Sequence, residues 1–263
     1  MAATGAAYGE HKFGQNLTGK LLIVFGVVLA IVLLWATADK PSPASHPGLL
    51  WISAAIVLAG VIAWVATSKN VLTINDHGVR RESAFGVQEI PWAQIQETRY
   101  RVIPINVYAH FGLIGALIAM RSKSAKANLM LDLISADGKH LKVTSNFQNA
   151  KEAIGLILTR IVPPAVKTAQ SSLQHGQTIQ FGDMALSATQ VIWKKKTTIP
   201  VSEIEKAEIV GSNLQIKRRG KWLSAVSVRS DKIPNVLVFL EALESLAPQI
   251  KSTGIDPLGR VRF

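Results

Sequence analysis

LLIVFGVVLAIVLLWATA (residues 21–38) and LLWISAAIVLAGVIAWVAT (residues 49–67) are runs of eighteen and nineteen residues without one charged side chain. At helical rise each is long enough for a hydrocarbon core of about 30 Å, which takes roughly 20 apolar residues. The segment between them, residues 39–48, holds Pro41, Pro43, Pro47 and Gly48, which turn a chain and do not continue a helix. The pair predicts a transmembrane helical hairpin. Core helices of a globular domain are the alternative, but these keep a polar face and neither run has one. Trp35, Trp51 and Trp64 stand near the run ends, where aromatic side chains meet headgroups. Ala36-Thr37-Ala38 has the small-residue form of a signal cleavage site. The twenty residues before the run are long for a signal, so an uncleaved anchor is expected.

Lys12 and Lys20 precede the first run, Lys69, Arg80 and Arg81 follow the second, and the connecting segment offers Lys40 balanced by Asp39. Positive residues mark the cytoplasmic side, which predicts a multi-pass inner (plasma) membrane protein with both termini cytoplasmic. The absence of cysteine excludes disulfides, thiolate nucleophiles and cysteine metal sites. Lys12, Lys20 and Lys40 are the only cations before Lys69, and Glu10 and Asp39 the only anions, so +11 of the net +12 follows the hairpin. Such a balance is drawn to an anionic leaflet or to nucleic acid.

The 195 residues after the hairpin suit two domains of about 100 each. They carry an internal repeat. Leu72 is followed by Val79, Ile90-Pro91-Trp92 and Ile95, and Met184 by Val191, Ile199-Pro200-Val201 and Ile204; the first and last intervals match, and only the hairpin between them differs in length. The expected organisation is a cytoplasmic tail (1–20), the hairpin (21–67), a first domain (69–167) and a second (168–263). Each half runs from short alternating segments to one helix. Residues 128–134 and 140–144 flank the turn Asp137-Gly138, and a helix is expected over 147–161. Residues 214–217 and 223–228 flank Arg219-Gly220, and a helix is expected over 234–246 with Val236, Leu237, Leu240, Leu243 and Leu246 as its apolar stripe. Trp92 and Ile95 start an inward-facing pattern and are expected in the core.

Gly78-Val79-Arg80 before a polar hairpin, with Ile90-Pro91-Trp92-Ala93-Gln94-Ile95 after it, resembles the pleckstrin-homology-like (PH-like) domains of membrane-anchored bacterial proteins. The second half, from Gly182 through Ile199-Pro200-Val201-Ser202-Glu203-Ile204 to Ile233-Pro234-Asn235, resembles an uncharacterised bacterial family built from such repeats. The resemblance implies two α+β domains, each an antiparallel sheet closed by a C-terminal helix. It implies a fold rather than a chemistry. The second repeat departs from the first at Val201, in place of Trp92, and at Gln190, in place of Gly78.

The first repeat also carries an insertion, residues 103–120, uncharged and largely apolar but broken by Pro104, Asn106, His110, Gly112 and Gly115. Arg121, Lys123 and Lys126 follow at once. Three readings stay open: a third transmembrane helix, which would put Asn106 and His110 in the bilayer; a buried element of the domain; or a membrane-dipping segment whose basic cluster meets lipid phosphates.

Catalytic signatures are poor. Gly14, Gly19 and Lys20 have the spacing of a phosphate-binding loop, but Leu21 stands where a Ser or Thr belongs and no strand precedes it. The six histidines show no paired ligand spacing, and Gly-x-Ser-x-Gly is absent. No catalytic residue, metal or cofactor is expected. What remains is basic: Lys194, Lys195 and Lys196 at one hairpin, and Lys217, Arg218, Arg219 and Lys221 at another. Solvated turns account for any one such cluster. In a domain of the resembled type they imply binding of acidic lipid headgroups or acidic protein segments. Trp193 and Trp222 are the only aromatic side chains beside them, too few for a base-stacking surface, so nucleic acid is not the expected partner. The expected function is a non-enzymatic, membrane-anchored scaffold or interaction protein that binds the anionic bilayer surface, a protein partner or a second copy of itself. The alternative is an accessory or assembly subunit of a membrane transporter or enzyme complex.

Overall fold

The structure, a computed structural model, describes residues 10–14, 24, 26–28, 31, 51, 55, 58, 59, 62, 70–104, 127–248 and 250. Among the described residues no helix is long and apolar enough to cross a membrane. This overturns the expected transmembrane hairpin, and with it the multi-pass inner-membrane placement with cytoplasmic termini. Uncharged length supplies only the capacity to span; a crossing also needs one unbroken helix of that length. Residues 21–38 and 49–67 contribute ten described residues, from Val24 to Ile62, and otherwise lie outside the described part. In place of a hairpin followed by two PH-like domains, the described chain forms four small antiparallel sheets, two α-helices described from end to end and three short 3-10 turns, and the ten described residues of the two runs are helical.

The elements succeed one another in the same way twice. A four-stranded meander, β1 (His11–Phe13), β2 (Val71–Ile74), β3 (Gly78–Ser83) and β4 (Gly86–Pro91), leads through a 3-10 turn (Trp92–Gln94) to a three-stranded meander, β5 (Ile95–Pro104), β6 (Ala127–Ser135) and β7 (His140–Thr144), and to helix α1 (Ala150–Gln174). The second series has β8 (Ile179–Phe181), β9 (Met184–Leu186), β10 (Gln190–Trp193), β11 (Thr197–Pro200), a 3-10 turn (Val201–Glu203), β12 (Ile204–Val210), β13 (Asn213–Arg218), β14 (Ser224–Arg229) and helix α2 (Val236–Leu246). The chain clusters into two compact units: Met1–Glu89 with Asn146–Asn149, and Ile90–Ser145 with Ala150–Phe263.

In the first unit Leu72, Ile74, Val79, Phe13 and Phe147 form the core, and the Arg81 guanidinium lies 5.6 Å from the Phe147 ring centre. Residues 11–13, expected in a tail, pair with β2 in the register His11↔Ile74, Lys12↔Thr73, Phe13↔Leu72. Three residues containing a lysine carry no strand signal of their own; the pairing exists because β2 offers an open edge. The β2–β3 turn is closed by Asn75, whose Oδ1 accepts the amides of His77 and Gly78 at 2.9 and 3.0 Å. In the second unit Ser187 does the same at the β9–β10 turn, accepting the amides of Thr189 and Gln190 through its hydroxyl. Two short polar side chains thus solve one turn, so Gln190 can stand where the first repeat has Gly78.

The second unit has two layers of core. Tyr100, Val102, Leu131, Leu133, Leu141 and Val143 of β5–β7 are buried, as are Ala153, Ile154, Ile157 and Leu158 of α1, which packs on β6 and β7. Ile204, Ala207, Ile209, Leu214, Ile216 and Val226 of β12–β14 are buried too, with Phe181, Met184, Leu186, Val191 and Ile199 of β8–β11. The buried face of α2 is Val236, Val238, Phe239, Ala242 and Leu243, while Leu237, Leu240 and Leu246 of the expected stripe are only half-buried. Phe239 meets Phe181 edge-on, with ring centres 5.5 Å apart. Gly182 follows Phe181 at φ +66°, and a Cβ there would stand 2.8 Å from Pro234 Cδ, so only glycine fits.

Helix α1 runs well past Ile161, through Pro163 and Pro164 and through residues 167 and 168. Proline removes a donor and disfavours helix just before it, hence the earlier end expected from sequence. Burial outweighs that cost: Val162, Ala169 and Leu173 are all covered, and α1 packs on α2. Asn235, left-handed at φ +52°, joins the start of α2 to β5. Its Oδ1 accepts both the amide and the hydroxyl of Thr98, at 2.8 and 3.0 Å, and its own amide donates to the Thr98 carbonyl at 2.8 Å. Trp92 and Ile95 are half-buried rather than core. Trp92 lies under the Arg160 guanidinium, 5.5 Å from the ring centre, whereas the smaller Val201 at the matching turn is buried.

The β6–β7 hairpin turns at Asp137-Gly138, with Gly138 at φ +80° and Ile134 opposite His140. Hydrogen bonds from Lys139, then Ser135, hold the exposed Asp137 carboxyl down to about 2. A depressed carboxylate stabilises the fold above its unfolded value of about 3.9 and loses that contribution as pH falls through its folded value. A carboxyl titration followed by NMR should therefore place Asp137 near 2 and move it upward in Lys139→Ala. A midpoint at the ordinary carboxylate value in both proteins would mean the turn is not closed by these bonds.

Candidate functional site

The β10–β11 hairpin pairs Trp193 with Thr197, leaving Lys194, Lys195 and Lys196 as its whole loop. Lys194 and Lys195 have φ of +50° and +56°. Left-handed backbone costs a residue with a Cβ roughly 1–2 kcal/mol, and glycine or asparagine relieves it. The loop is fastened by the Lys194 amide to the Asp183 carbonyl at 2.8 Å and the Lys196 amide to the Trp193 carbonyl at 3.0 Å. The Lys194 ammonium lies 5.2 Å from the Trp193 ring centre. Three exposed like charges in a turn that favours other residues oppose local stability, a conflict that is characteristic of functional segments. Lys195→Asn is accordingly expected to raise unfolding free energy by about 0.5–1 kcal/mol in a denaturant titration, since asparagine tolerates this backbone. An unchanged or lower midpoint would show that the turn carries no such strain.

The β13–β14 hairpin ends in Arg219-Gly220-Lys221-Trp222-Leu223, with Gly220 at φ +68° and the Lys221 amide on the Arg218 carbonyl at 3.1 Å. Trp222 is 89% exposed and Leu223 70%. The two hairpins are tied together: Arg218 Nη2 donates to the Thr198 carbonyl of β11 at 2.8 Å. Thr197, Arg218, Lys221, Trp222, Leu223 and Ala225 line an open groove of about 470 Å³ whose surface is mostly apolar. Arg218 and Lys221 bring one basic cluster into this groove, and Thr197, the residue that follows the lysine loop, lines it from the other hairpin. Glu203 supplies a counter-charge, with Oε2 3.8 Å from Arg218 Nε, and its carbonyl also accepts the Arg219 amide at 2.7 Å. Lys217 is half-buried on β13 opposite Lys206, whose ammonium sits 2.6 Å from Glu208.

Of the basic residues singled out from sequence, the fold brings Lys194, Lys195 and Lys196 together with Arg218, Arg219 and Lys221. Arg121, Lys123 and Lys126 lie outside the described residues, as does most of the apolar insertion 103–120; Ile103 and Pro104 at its start pair with Asn128 and Ala127 in the β5–β6 register. The apolar tip was not legible beforehand. Leu223 reads as the first residue of a strand, yet β14 starts at Ser224 and leaves Leu223 in the loop beside Trp222.

A second hollow, on the first unit, is lined by Glu10, Lys12, Val71, Thr73, Asn75, Arg80 and Glu82. Its charges pair internally, Lys12 with Glu10 at 3.3 Å and Arg80 with Glu82 at 2.8 Å, so it presents no net field of one sign. Among the described residues no three His, Asp or Glu side chains are grouped to hold a metal ion.

No curated protein matches this chain. One family does, over residues 3–251, and its description is a family of unknown function. The match spans both series of strands and both helices, and the chain therefore belongs to the DUF6585 family.

Proposed function

We propose that this chain is a non-enzymatic interaction protein whose basic hairpins dock on an anionic surface of lipid headgroups. The observation that carries this reading is the Arg218 bond to Thr198, which ties two cationic hairpins to one another beside an open groove. Exposed cations near an anionic leaflet contribute about 1 kcal/mol each, so the field of a gathered cluster is what makes binding measurable. The PH-like kinship of each strand series with its helix belongs to the same proposal; it rests on the four-plus-three strand succession closed by a helix. A second reading, an accessory subunit that holds an acidic protein partner, is favoured by the apolar lining of the groove, which suits a side chain as well as a lipid.

Co-sedimentation of the full chain with vesicles separates the two. Binding is expected to phosphatidylcholine vesicles that contain phosphatidylserine, to be absent with phosphatidylcholine alone, and to weaken as salt rises, because exposed charge is screened over about 8 Å at physiological ionic strength. Equal binding to both vesicle types, or none to the anionic ones at low salt, would sink the lipid reading.

A further inference from the structure

The β13–β14 loop joins two chemistries. Trp222 and Leu223 are apolar and largely exposed, and the cations Arg218, Arg219 and Lys221 precede them in the same loop. Nothing in the fold needs this arrangement: Ile216 and Val226 already supply the buried pair of the hairpin, and they face each other in its register. Leaving an indole and an isobutyl group in water at a loop tip is unfavourable, and a charged loop has no structural use for them. An exposed apolar pair beside a set of cations suits a bilayer interface, where acyl carbon lies beneath a layer of phosphates. Tryptophan in particular favours that boundary, with its ring in the apolar zone and its N–H in the polar one.

We infer that Trp222 and Leu223 enter the headgroup–acyl boundary of an anionic bilayer while Arg218, Arg219, Lys221 and the Lys194–Lys196 loop hold its phosphates. The inference rests on the lipid reading above and adds depth to it: electrostatic docking alone would leave the tip in water. An acidic polypeptide satisfies the cations but offers the exposed pair no continuous apolar layer, so charge and apolarity together favour lipid over protein. Because the tip enters alone, the contact is shallow and reversible, and its apolar part does not respond to salt.

The absence of cysteine makes the test direct, since Leu223→Cys gives a single labelling site on the full chain. An environment-sensitive fluorophore there should shift to the blue on phosphatidylserine-containing vesicles and be quenched by brominated acyl chains but no longer by aqueous iodide. The same label at Lys195→Cys should stay accessible to iodide. Unlabelled Trp222→Ala with Leu223→Ser should lose about tenfold or more in vesicle affinity at every salt concentration, since the lost part is apolar burial. A vesicle-bound protein whose Leu223 label remains open to iodide would overturn the insertion while leaving headgroup docking intact. Failure to bind anionic vesicles would overturn both, and a blue shift produced by polyglutamate in their absence would assign the tip to an acidic protein.

Discussion

Phe239→Ala is expected to lower unfolding free energy by about 3–5 kcal/mol, the usual cost of emptying a buried phenylalanine site. Phe239 is fully covered and sits edge-on against Phe181, so the change removes its burial, its aromatic contact and part of the bond between α2 and the β8–β9 hairpin. Urea denaturation followed by far-ultraviolet circular dichroism measures it. Trp92→Ala is the informative comparison. A tryptophan is larger, but this one is half-buried beneath Arg160 and forfeits mainly partial burial and a cation–π contact, together at most about 2 kcal/mol. Should the tryptophan variant prove the less stable of the two, the assignment of the core to the α2 face would be wrong.

Replacing Lys194, Lys195 and Lys196 together by glutamine should weaken binding to anionic vesicles by up to about 3 kcal/mol, on the order of a hundredfold at low salt. All three are exposed, and Lys194 and Lys195 keep their left-handed backbone in either form, so the fold should not change. Vesicle co-sedimentation gives the affinity and a thermal melt confirms the fold. Unaltered affinity with an unaltered melt would reduce the loop to a solvated turn and leave the Arg218–Leu223 hairpin as the sole contact.

Several elements were legible because their signal is local. Asp137-Gly138 between two alternating segments specifies a tight hairpin, and β6 and β7 pair across it. The matched intervals from Leu72 to Val79 and from Met184 to Val191 mark positions that are fully buried in both series, because the hairpin register sets Val79 opposite Ile74 and Val191 opposite Leu186, each two residues along one face from Leu72 or Met184. The two basic loops stand at hairpin ends for the same reason: charge and turn residues coincide there. Other elements depend on partners far along the chain. The strand at His11–Phe13 exists through β2, and the extension of α1 past Pro163-Pro164 exists through Ala169, Leu173 and α2. The membrane-spanning expectation failed on a similar point, since uncharged length is a property of composition while an unbroken helix is a property of the fold.

By itself, then, the order of residues determined the repeated strand series, the turns at Asp137-Gly138 and Gly220, and the cationic character of the second half, all of which follow from backbone preference and side-chain alternation over a few residues. Only the tertiary structure decided that Arg218 reaches Thr198 and so makes one site of two loops, that Trp222 and Leu223 stand outside the sheet, and that Asn235 joins α2 to Thr98 across more than a hundred residues. Contacts of that separation are set by which buried faces fit one another, and no local pattern encodes the fit.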